Sequence, residues 1–339
     1  MSAPLVLDAA AVAAACPPAD AVAAITAALD RGLDPATDLP RQAVPLEAGQ
    51  LLLMPSDGGG ALTHVGVKVA TVAPGNPERG LPRVQGSYLL LDAATLGVVA
   101  VLDGIALTTL RTPAVSVAAV RGRLRAGTTP LRVAVFGSGP QAHGHVATLE
   151  AALAGRRRLT SVTQLVRDPS RWSSASRGSS LSRPGFRQAQ PASQAGSGPI
   201  DGARLVRLGT PESDDALRAA DVVVCATSAR EPLFDADLIA DAAVVVAVGS
   251  HEPDARELPA GLLGRATVVV EDRAAALREA GDVVLAVAEG ALRAEDLVPM
   301  RDVVTGAVRP DPARPLVFKS TGMSWEDLVV AEAVLGGAS

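Results

Sequence analysis

The chain has 339 residues, a length that predicts two domains. Hydrophobic residues make up 48% of it and charged residues 20%, which excludes wholesale disorder. Its 31 basic and 36 acidic residues give a net charge of −5, the sign opposite to that of most nucleic-acid-binding proteins, so we expect no nucleic-acid partner.

Residues 1–125 predict an α+β domain. An alanine-rich stretch predicts a helix, and apolar runs of strand length follow it. One of these runs contains a central turn and predicts a hairpin of two strands. The predicted elements are a helix over 10–29, strands beginning at Leu51 and Val65, a hairpin over 87–104 and a helix over 110–124.

Residues 126–310 predict a doubly wound parallel sheet of the Rossmann type, because short β-branched runs alternate with helical stretches. Thr210 and Pro211 fit an N-cap followed by proline at the first helical position, and Gly281 fits a helix stop. The fold class is therefore α/β, with the α+β domain beside it. The predicted strands include 131–136, 160–166, 221–227, 243–249 and 266–272, and the predicted helices are 143–154, 211–220, 235–241 and 273–280.

Two segments fall outside this alternation. Residues 170–200 are rich in serine and contain no acidic residue, at a place where a doubly wound domain should have a helix. This composition favours a disordered insert, and a fault in the sequence is the alternative. Residues 311–339 predict a strand followed by an amphipathic helix, and we expect this tail to return to the first domain or to the domain boundary.

A dinucleotide signal begins directly after the strand at 131–136. Gly137-x-Gly139-x-x-Ala142 lies between a strand and a helix, which is the context that the fingerprint requires. Gly137 permits the tight turn, Gly139 lets a pyrophosphate approach the backbone, and Ala142 allows the helix to pack closely on the strand. The helix N-terminus offers free N–H groups to the phosphates. A tight turn that binds nothing is the alternative.

The end of the next strand bears on the choice between the two nicotinamide cofactors. An acidic residue there would bind the 2′-hydroxyl of NAD, but this strand ends in Val166 and Arg167, and Asp168 comes one position later. Arg167 can instead bind a 2′-phosphate. We therefore expect NADP(H) to be preferred, with NAD(H) as the alternative, unless Arg167 is only a solvated surface cation.

Other reactive residue types indicate no separate chemistry. Cys16 and Cys225 lie in apolar surroundings and are expected to be inert core thiols. His143 and His145 do not face each other on a helix, so no metal site is predicted. No apolar run reaches the ~18 residues that span a bilayer, and the first residues lack the basic region of a signal peptide. We expect a cytoplasmic protein with no membrane partner.

Six sequence runs, in this order, resemble the ornithine cyclodeaminase/mu-crystallin family. They are GVKVATVAPGNPERGLPRVQG from Gly66, LDGIALTTLRTPAVS from Leu102, VFGSGPQAHGHV from Val135, ATSAREPLF from Ala226, VGSHEPDAREL from Val248 and FKSTGMSWEDL from Phe318. The resemblance implies a homodimer in which each subunit has a Rossmann-type domain and a substrate domain that also forms the dimer. It further implies a nicotinamide cofactor used on amino acids or cyclic imines.

Within this resemblance, Arg41, Lys68 and Arg111 match the positions at which the family binds a substrate carboxylate. The residue types agree with that role, since arginine can grip a carboxylate with two hydrogen bonds and lysine supplies a mobile point charge. Lys68 is one of two lysines and lies in an apolar strand run, where a surface cation of this arginine-rich chain would be arginine. The alternative is that these residues are solvated or salt-bridged surface cations.

The chain departs from the family at residue 251. Cyclodeaminases of the family carry there an aspartate that acts on the substrate amine, whereas this sequence reads Gly249-Ser250-His251-Glu252-Pro253. Histidine can donate a proton to an imine nitrogen. The difference disfavours cyclodeamination and favours imine reduction with His251 as proton donor. The alternative is that His251 only shapes the loop.

Together these residues predict an NAD(P)H-dependent reductase of a small cyclic imine that carries a carboxylate, such as 1-pyrroline-2-carboxylate or 1-piperideine-2-carboxylate. Alternatives are an amino-acid cyclodeaminase acting on ornithine or lysine, an amino-acid dehydrogenase, and a non-catalytic NADPH-binding protein of the crystallin kind. The predicted catalytic residues are Lys68 and His251, and the substrate-binding residues are Arg41, Lys68 and Arg111. The predicted cofactor contacts are Gly137, Ser138, Gly139, Gln141, Ala142 and Arg167, with Thr227, Ser228 and Val248 at the nicotinamide ribose.

Overall fold

The computed structural model describes residues 3–172 and 198–338. The predicted disordered insert at 170–200 therefore lies, apart from its two ends, outside the described residues. The described chain forms one mostly antiparallel sheet and one parallel sheet, and a long helix contacts both of them.

The first sheet is built from residues of the predicted α+β domain. Its strands are β1 (Leu5–Leu7), β2 (Gln42–Leu46), β3 (Gly49–Ser56), β4 (His64–Val72), β5 (Val84–Asp92) and β6 (Val98–Asp103). They lie in the order β1-β6-β5-β4-β3-β2, and the β1–β6 pair is parallel while the other pairs are antiparallel.

The two faces of this sheet are covered to different extents. One row of side chains, paired directly across four strands, is buried: Met54, Lys68, Tyr88 and Leu102. The neighbouring row is only half-buried: Pro55, Val67, Leu89 and Val101. Successive residues of a strand point to opposite faces, so one face packs on helices and the other presents an open apolar surface.

The helices that contact this sheet are α1 (Ala9–Ala15), α3 (Gly104–Arg125) and α10 (Ser324–Ala338), and α2 (Pro18–Asp30) packs on α3 and α10. The prediction of one helix over 10–29 is wrong, because the chain breaks at Pro17, which has no N–H to donate, and Pro18 starts a new helix. The helix α3 also begins before the predicted residue 110, since the Asp103 carboxylate accepts two N–H groups of its first turn.

The second sheet has eight strands, which run parallel to one another. They are β7 (Leu131–Phe136), β8 (Leu159–Val166), β9 (Arg204–Arg207), β10 (Val222–Cys225), β11 (Val244–Ala247), β12 (Thr267–Val270), β13 (Val298–Pro299) and β14 (Leu316–Lys319). Their order is β13-β12-β14-β11-β10-β7-β8-β9. This is the predicted doubly wound Rossmann-type sheet, so the fold class is confirmed.

The remaining helices follow strands of this sheet. They are α4 (Pro140–Leu153), α5 (Pro211–Ala219), α6 (Ala260–Arg265), α7 (Arg273–Glu279), α8 (Gly281–Ala288) and α9 (Met300–Val304). The helix predicted over 235–241 is wrong, because only a short 3₁₀ turn forms at Ala236–Leu238. The guanidinium of Arg265 donates to the carbonyls of Ala236 and Ile239, which takes the place of helical hydrogen bonds there.

The tail divides between the two sheets, so assigning residues 311–339 to the first domain is wrong for the strand and right for the helix. The strand β14 lies between β11 and β12 in the parallel sheet. Only α10 crosses back, where it packs on α2, α3 and β4. Sequence order cannot reveal this, because a parallel strand pairs with partners that are distant along the chain.

No single helix in the described part of the chain is long and apolar enough to cross a membrane. The helices α1 and α2 reach that length and composition only as a pair, and a bend of 69° separates them.

Candidate active site

The glycine turn after β7 leaves space for a phosphate group. Gly137 has a φ of +112°, and a Cβ on it would lie 2.5 Å from the Ala226 carbonyl oxygen, so only glycine fits. A Cβ on Gly139 would meet nothing within 4 Å. Gly139 is the N-cap of α4 and has no side chain to cap the first-turn N–H groups, while Ala142 is fully buried against the sheet. These features fit a pyrophosphate at the start of α4.

Two predicted cofactor residues beside this turn are bound to other parts of the chain. The Ser138 carbonyl oxygen accepts the N–H of Gly198 at 2.8 Å. The Gln141 side chain donates to the Thr108 carbonyl at 3.3 Å, and its own Oε1 is buried without a partner among the described residues. Gln141 is thus directed toward α3, which leaves its backbone as the group available to a phosphate.

The end of β8 carries exposed charge. Arg167 follows the strand, and Arg207 is exposed at the position of β9 that pairs with Val166. The carboxylate of Asp168 accepts hydrogen bonds from the N–H and hydroxyl of Ser170, and these bonds lower its pKa. The charge of Arg207 lowers that pKa further, so the Arg207 guanidinium lies near Asp168 at the strand end.

Lys68 lies in the buried row of the first sheet and is paired within the protein. Its Nζ donates to Asp327 Oδ2 at 2.7 Å and lies 3.4 Å from the Thr108 hydroxyl. Only 5% of the residue is exposed. Burial lowers the pKa of Lys68, and the charge of Asp327 opposes that change. Lysine, threonine and aspartate come from β4, α3 and α10, so three elements meet at this ammonium group.

Arg111 is buried beside Lys68 and shares its counterion. Its Nε lies 3.3 Å from Asp327 Oδ1, and its Nη1 contacts Glu326 Oε2. Burial acts to lower the pKa of Arg111, but the charges of Asp327 and Glu326 outweigh that effect and raise it. Burial and the charge of Glu271 raise the pKa of Glu326 well above its usual range. The helix start at 324–327 therefore supplies the groups that hold Arg111 in place.

Arg41 approaches the same region from the other side. Its Nη2 donates to the Gly322 carbonyl at 3.1 Å and forms an ion pair with Glu279 at the end of α7. A Cβ on Gly322 would lie 2.7 Å from Arg111 Nη2, and its φ is +79°, so glycine is required there. The three predicted cations are thus connected: Lys68 and Arg111 through Asp327, and Arg111 and Arg41 through Gly322.

A cavity of about 120 Å³ opens beside Arg41. Its walls include Asp38, Met54, Glu279 and Gly322, so it lies between the first sheet and α7. Asp38 accepts hydrogen bonds from the Ser56 hydroxyl at 2.8 Å and the Trp325 N–H at 2.9 Å. Burial nevertheless raises the pKa of Asp38 to about 6.

His251 lies in the exposed loop that follows β11, at the edge of this region. Partial burial lowers the pKa of His251, and the charge of Arg41 lowers it further. The imidazole is therefore close enough to Arg41 to be affected by its charge, although the two residues come from different sheets. The preceding residue, Ser250, is buried and its carbonyl accepts a hydrogen bond from Lys319 at 2.5 Å.

The predicted ribose-contacting residues lie at the carboxyl ends of β10 and β11. The N–H and hydroxyl of Thr227 both donate to Glu257 Oε1 at 2.8 Å. Ser228 is exposed beside it, and Val248 donates its N–H to the Cys225 carbonyl at 2.9 Å. Ligands of open α/β sheets bind outside the carboxyl ends of the strands, which is where these residues lie.

Sequence reasoning missed the acids that hold the cations. Glu326 and Asp327 are fully buried on α10, and Glu271 accepts from the backbone N–H groups of Thr321 and Gly322. The available signal was the pair of adjacent acids, Glu326 and Asp327, at the start of a largely apolar helix. If the apolar residues bury this helix, the acids need cationic partners, because acids are almost never fully buried unless paired.

The histidines and thiols within the described ranges show no arrangement that would hold a metal ion. His145 is buried between α4 and α3, with Nε2 3.0 Å from the Ser116 hydroxyl, and burial lowers its pKa to about 4. Cys16 and Cys225 are buried, and burial raises the pKa of both thiols.

The sequence profile of the ornithine cyclodeaminase/mu-crystallin family matches residues 3–170 and 206–338. A Delta(1)-pyrroline-2-carboxylate/Delta(1)-piperideine-2-carboxylate reductase of Azospirillum brasilense is 33% identical over 289 residues, which cover 85% of this chain and 81% of the relative. The ketimine reductase mu-crystallin of Rattus norvegicus is 30% identical over 268 residues, 79% of this chain and 74% of the relative.

A solved structure shares the fold over almost the whole chain. It is the Thermococcus litoralis Delta(1)-pyrroline-2-carboxylate reductase in complex with NADH and L-proline, with a TM-score of 0.78, 23% identity, and coverage of 98% of this chain and 97% of that chain.

Proposed function

The chain belongs to the ornithine cyclodeaminase/mu-crystallin family, and we propose that it is a nicotinamide-dependent reductase of a small cyclic imine bearing a carboxylate, of the 1-pyrroline-2-carboxylate or 1-piperideine-2-carboxylate type. The observation that carries the proposal is the connected set of Arg41, Lys68 and Arg111 beside the carboxyl ends of the parallel sheet. Relatives named as reductases of such imines support it.

The substrate carboxylate would bind to the three cations. Asp327 holds Lys68 and Arg111 side by side, so neither side chain has to be ordered when the substrate arrives. The arginine forks fix the direction of a carboxylate, and positioning of this kind can supply several kcal/mol of the barrier reduction. The substrate-binding role therefore belongs to the first sheet and the cofactor-binding role to the second.

The residues at the ends of β7, β10 and β11 would hold the cofactor. The turn at Gly137 and Gly139 fits its pyrophosphate, and Thr227 and Val248 are proposed contacts of the nicotinamide ribose. When bound, the reduced nicotinamide supplies a hydride, which goes to the imine carbon. His251, or a water that it holds, would deliver the proton to the imine nitrogen.

Lys68→Met is expected to lower kcat/KM for the imine by ~2–4 kcal/mol, since it removes a charge-assisted contact from a largely buried site. NADPH affinity should be unchanged, because the cofactor contacts lie on the other sheet. The assay follows NADPH oxidation with 1-pyrroline-2-carboxylate or 1-piperideine-2-carboxylate as substrate. Keto acids supplied together with ammonia are assayed in the same way.

The control for this variant is Arg132→Met, which removes an exposed cation at the opposite end of the parallel sheet. Two results would contradict the proposed function. One is ammonia release from ornithine or lysine without imine reduction, which identifies a cyclodeaminase. The other is NADPH binding with no turnover of any compound, which identifies a binding protein.

The pH dependence should identify the proton donor. Because the pKa of His251 is lowered, the proton-carrying imidazole is lost as the pH rises through a value below the usual ~6.5. We expect kcat/KM to fall across that range. His251→Gln should remove this limb and reduce kcat by ~10²–10⁴-fold. An unchanged profile and an unchanged kcat in the variant would mean that water alone supplies the proton.

NADP(H) is the proposed cofactor, because the strand end that would face the adenosine ribose carries Arg167 and Arg207. Asp168 is the competing group, but its carboxylate is already bound to Ser170. Both guanidinium groups are exposed at this edge, which suits a 2′-phosphate.

Arg167→Ala is expected to weaken NADPH binding about tenfold, or ~1.4 kcal/mol, and to leave NADH binding nearly unchanged. Fluorescence titration of the two reduced cofactors measures this difference. Tenfold tighter binding of NADH than of NADPH by the unaltered protein would show that the ribose argument is wrong.

A homodimer is proposed on the open face of the first sheet, where the half-buried row of Pro55, Val67, Leu89 and Val101 presents apolar side chains. Open apolar surfaces of this kind mark protein–protein contacts. Val67→Glu should therefore yield a monomer in light scattering while circular dichroism stays unchanged. The control is Leu277→Glu on α7, which is 38% exposed and lies away from this face. A dimer that survives Val67→Glu would place the subunit contact elsewhere.

A further inference from the structure

A second group of buried charges lies at the carboxyl end of the parallel sheet, apart from Lys68 and Arg111. It consists of Glu257, Asp282 and Lys319, which we call the sheet-end cluster. Each of the three residues is no more than 1% exposed. The cluster is not needed for the substrate or proton-donor roles described above, and buried charges are retained at a cost in stability.

Glu257 connects the ends of two adjacent strands. Its carboxylate accepts the N–H of Thr227 at 2.8 Å, the N–H of Gly249 at 2.7 Å and the Thr227 hydroxyl at 2.8 Å. That hydroxyl also accepts the N–H of Ala229 at 3.1 Å, so its single proton is the one that it gives to Glu257. Burial raises the pKa of Glu257, and the charge of Lys319 and the hydrogen bonds from Thr227 act against that rise. The three donors favour the carboxylate form of Glu257, because they hydrogen-bond to the charged group.

Lys319 supplies the one positive charge of the sheet-end cluster. Its Nζ lies 3.0 Å from Asp282 Oδ2, while Asp282 Oδ1 accepts the N–H groups of Glu257 and Leu258 at 2.7 Å each. Two carboxylates and one ammonium leave the cluster with one net negative charge. The thiol of Cys225 senses all three charges: burial raises its pKa, the charges of Glu257 and Asp282 raise it further, and the charge of Lys319 lowers it by a smaller amount than either acid raises it.

We propose that the sheet-end cluster is a fixed negative charge behind the nicotinamide-binding strand ends, and that it favours the oxidised, positively charged ring over the reduced, neutral ring. The inference rests on the proposed function, because it requires the ring to lie in front of Thr227 and Gly249. Glu257 acts through the backbone groups that it holds and is a positioning residue. Its charge helps the reduced ring to give up a hydride, since the ring becomes positive as the hydride leaves.

The test is the ratio of the dissociation constants of NADP⁺ and NADPH, measured by calorimetry and fluorescence at one pH and one ionic strength. Glu257→Gln and Asp282→Asn each bring the cluster charge to zero. Both should raise the ratio by about tenfold, the effect of a unit charge several ångströms away in a partly buried site. A variant that only disturbed the structure would weaken the binding of NADP⁺ and NADPH equally and leave the ratio unchanged.

A double variant separates charge from structure. Lys319→Met combined with Asp282→Asn breaks the contact with the Ser250 carbonyl but keeps one net negative charge, so its ratio should equal that of the unaltered protein. The double variant differs from Asp282→Asn only at residue 319, so comparing the two isolates the effect of the Lys319 charge. If one of the two charge-removing variants does not fold, the other is enough to test the inference.

Two outcomes would overturn the inference. The first is an unchanged ratio in Glu257→Gln and Asp282→Asn, which would leave the proposed function intact. The second is a rise in the double variant as large as the rise in Asp282→Asn, which would also leave the proposed function intact. Failure of the unaltered protein to bind either cofactor form would instead overturn the proposed function and the inference with it.

Discussion

The burial of two positively charged side chains, Lys68 and Arg111, constrains the rest of the structure. A buried charge costs several kcal/mol unless it is paired, and losing one partner of a buried pair typically costs ~3–5 kcal/mol. Asp327 contacts both cations, at 2.7 Å and 3.3 Å, and is itself fully buried. The sheet strand β4 and the helices α3 and α10 therefore have to meet at one point, which explains why the chain crosses back after completing the parallel sheet.

The ion pairs of Arg41, Lys68 and Arg111, near the cavity beside Arg41, differ in strength, and this difference suits a site that admits a ligand. The ion pair of Arg41 with Glu279 is partly exposed, and exposed pairs contribute about 0–1 kcal/mol. In the proposed function, a substrate carboxylate would compete for Arg41 at little cost, whereas displacing Asp327 from Lys68 would leave a buried acid unpaired. The site thus combines one cation that can exchange its partner, Arg41, with two that keep theirs, Lys68 and Arg111.

The sequence was informative where structure depends on neighbouring residues. Runs such as Val222–Cys225 predicted buried parallel strands because both faces of such strands are covered, and a lone lysine in an apolar run singled out Lys68. Contacts over long separations were not predictable. Asp327 lies 259 residues from Lys68, and periodicity does not reveal which distant acid will neutralise a buried cation. For the same reason the location of β14 between β11 and β12 could not be predicted.

The late return of the chain has a consequence for its synthesis on the ribosome. The strand β14 fills the gap between β11 and β12, and α10 supplies Asp327, the counterion of Lys68 and Arg111. Neither half of the chain can therefore be completed before residues 316–338 are made. At ~5–20 residues per second, Asp327 follows Arg111 by roughly 10–40 s. During that time the nascent chain carries two cations without their acids and an open gap in a parallel sheet. Its need for protection from aggregation is therefore greatest just before translation of this region is complete.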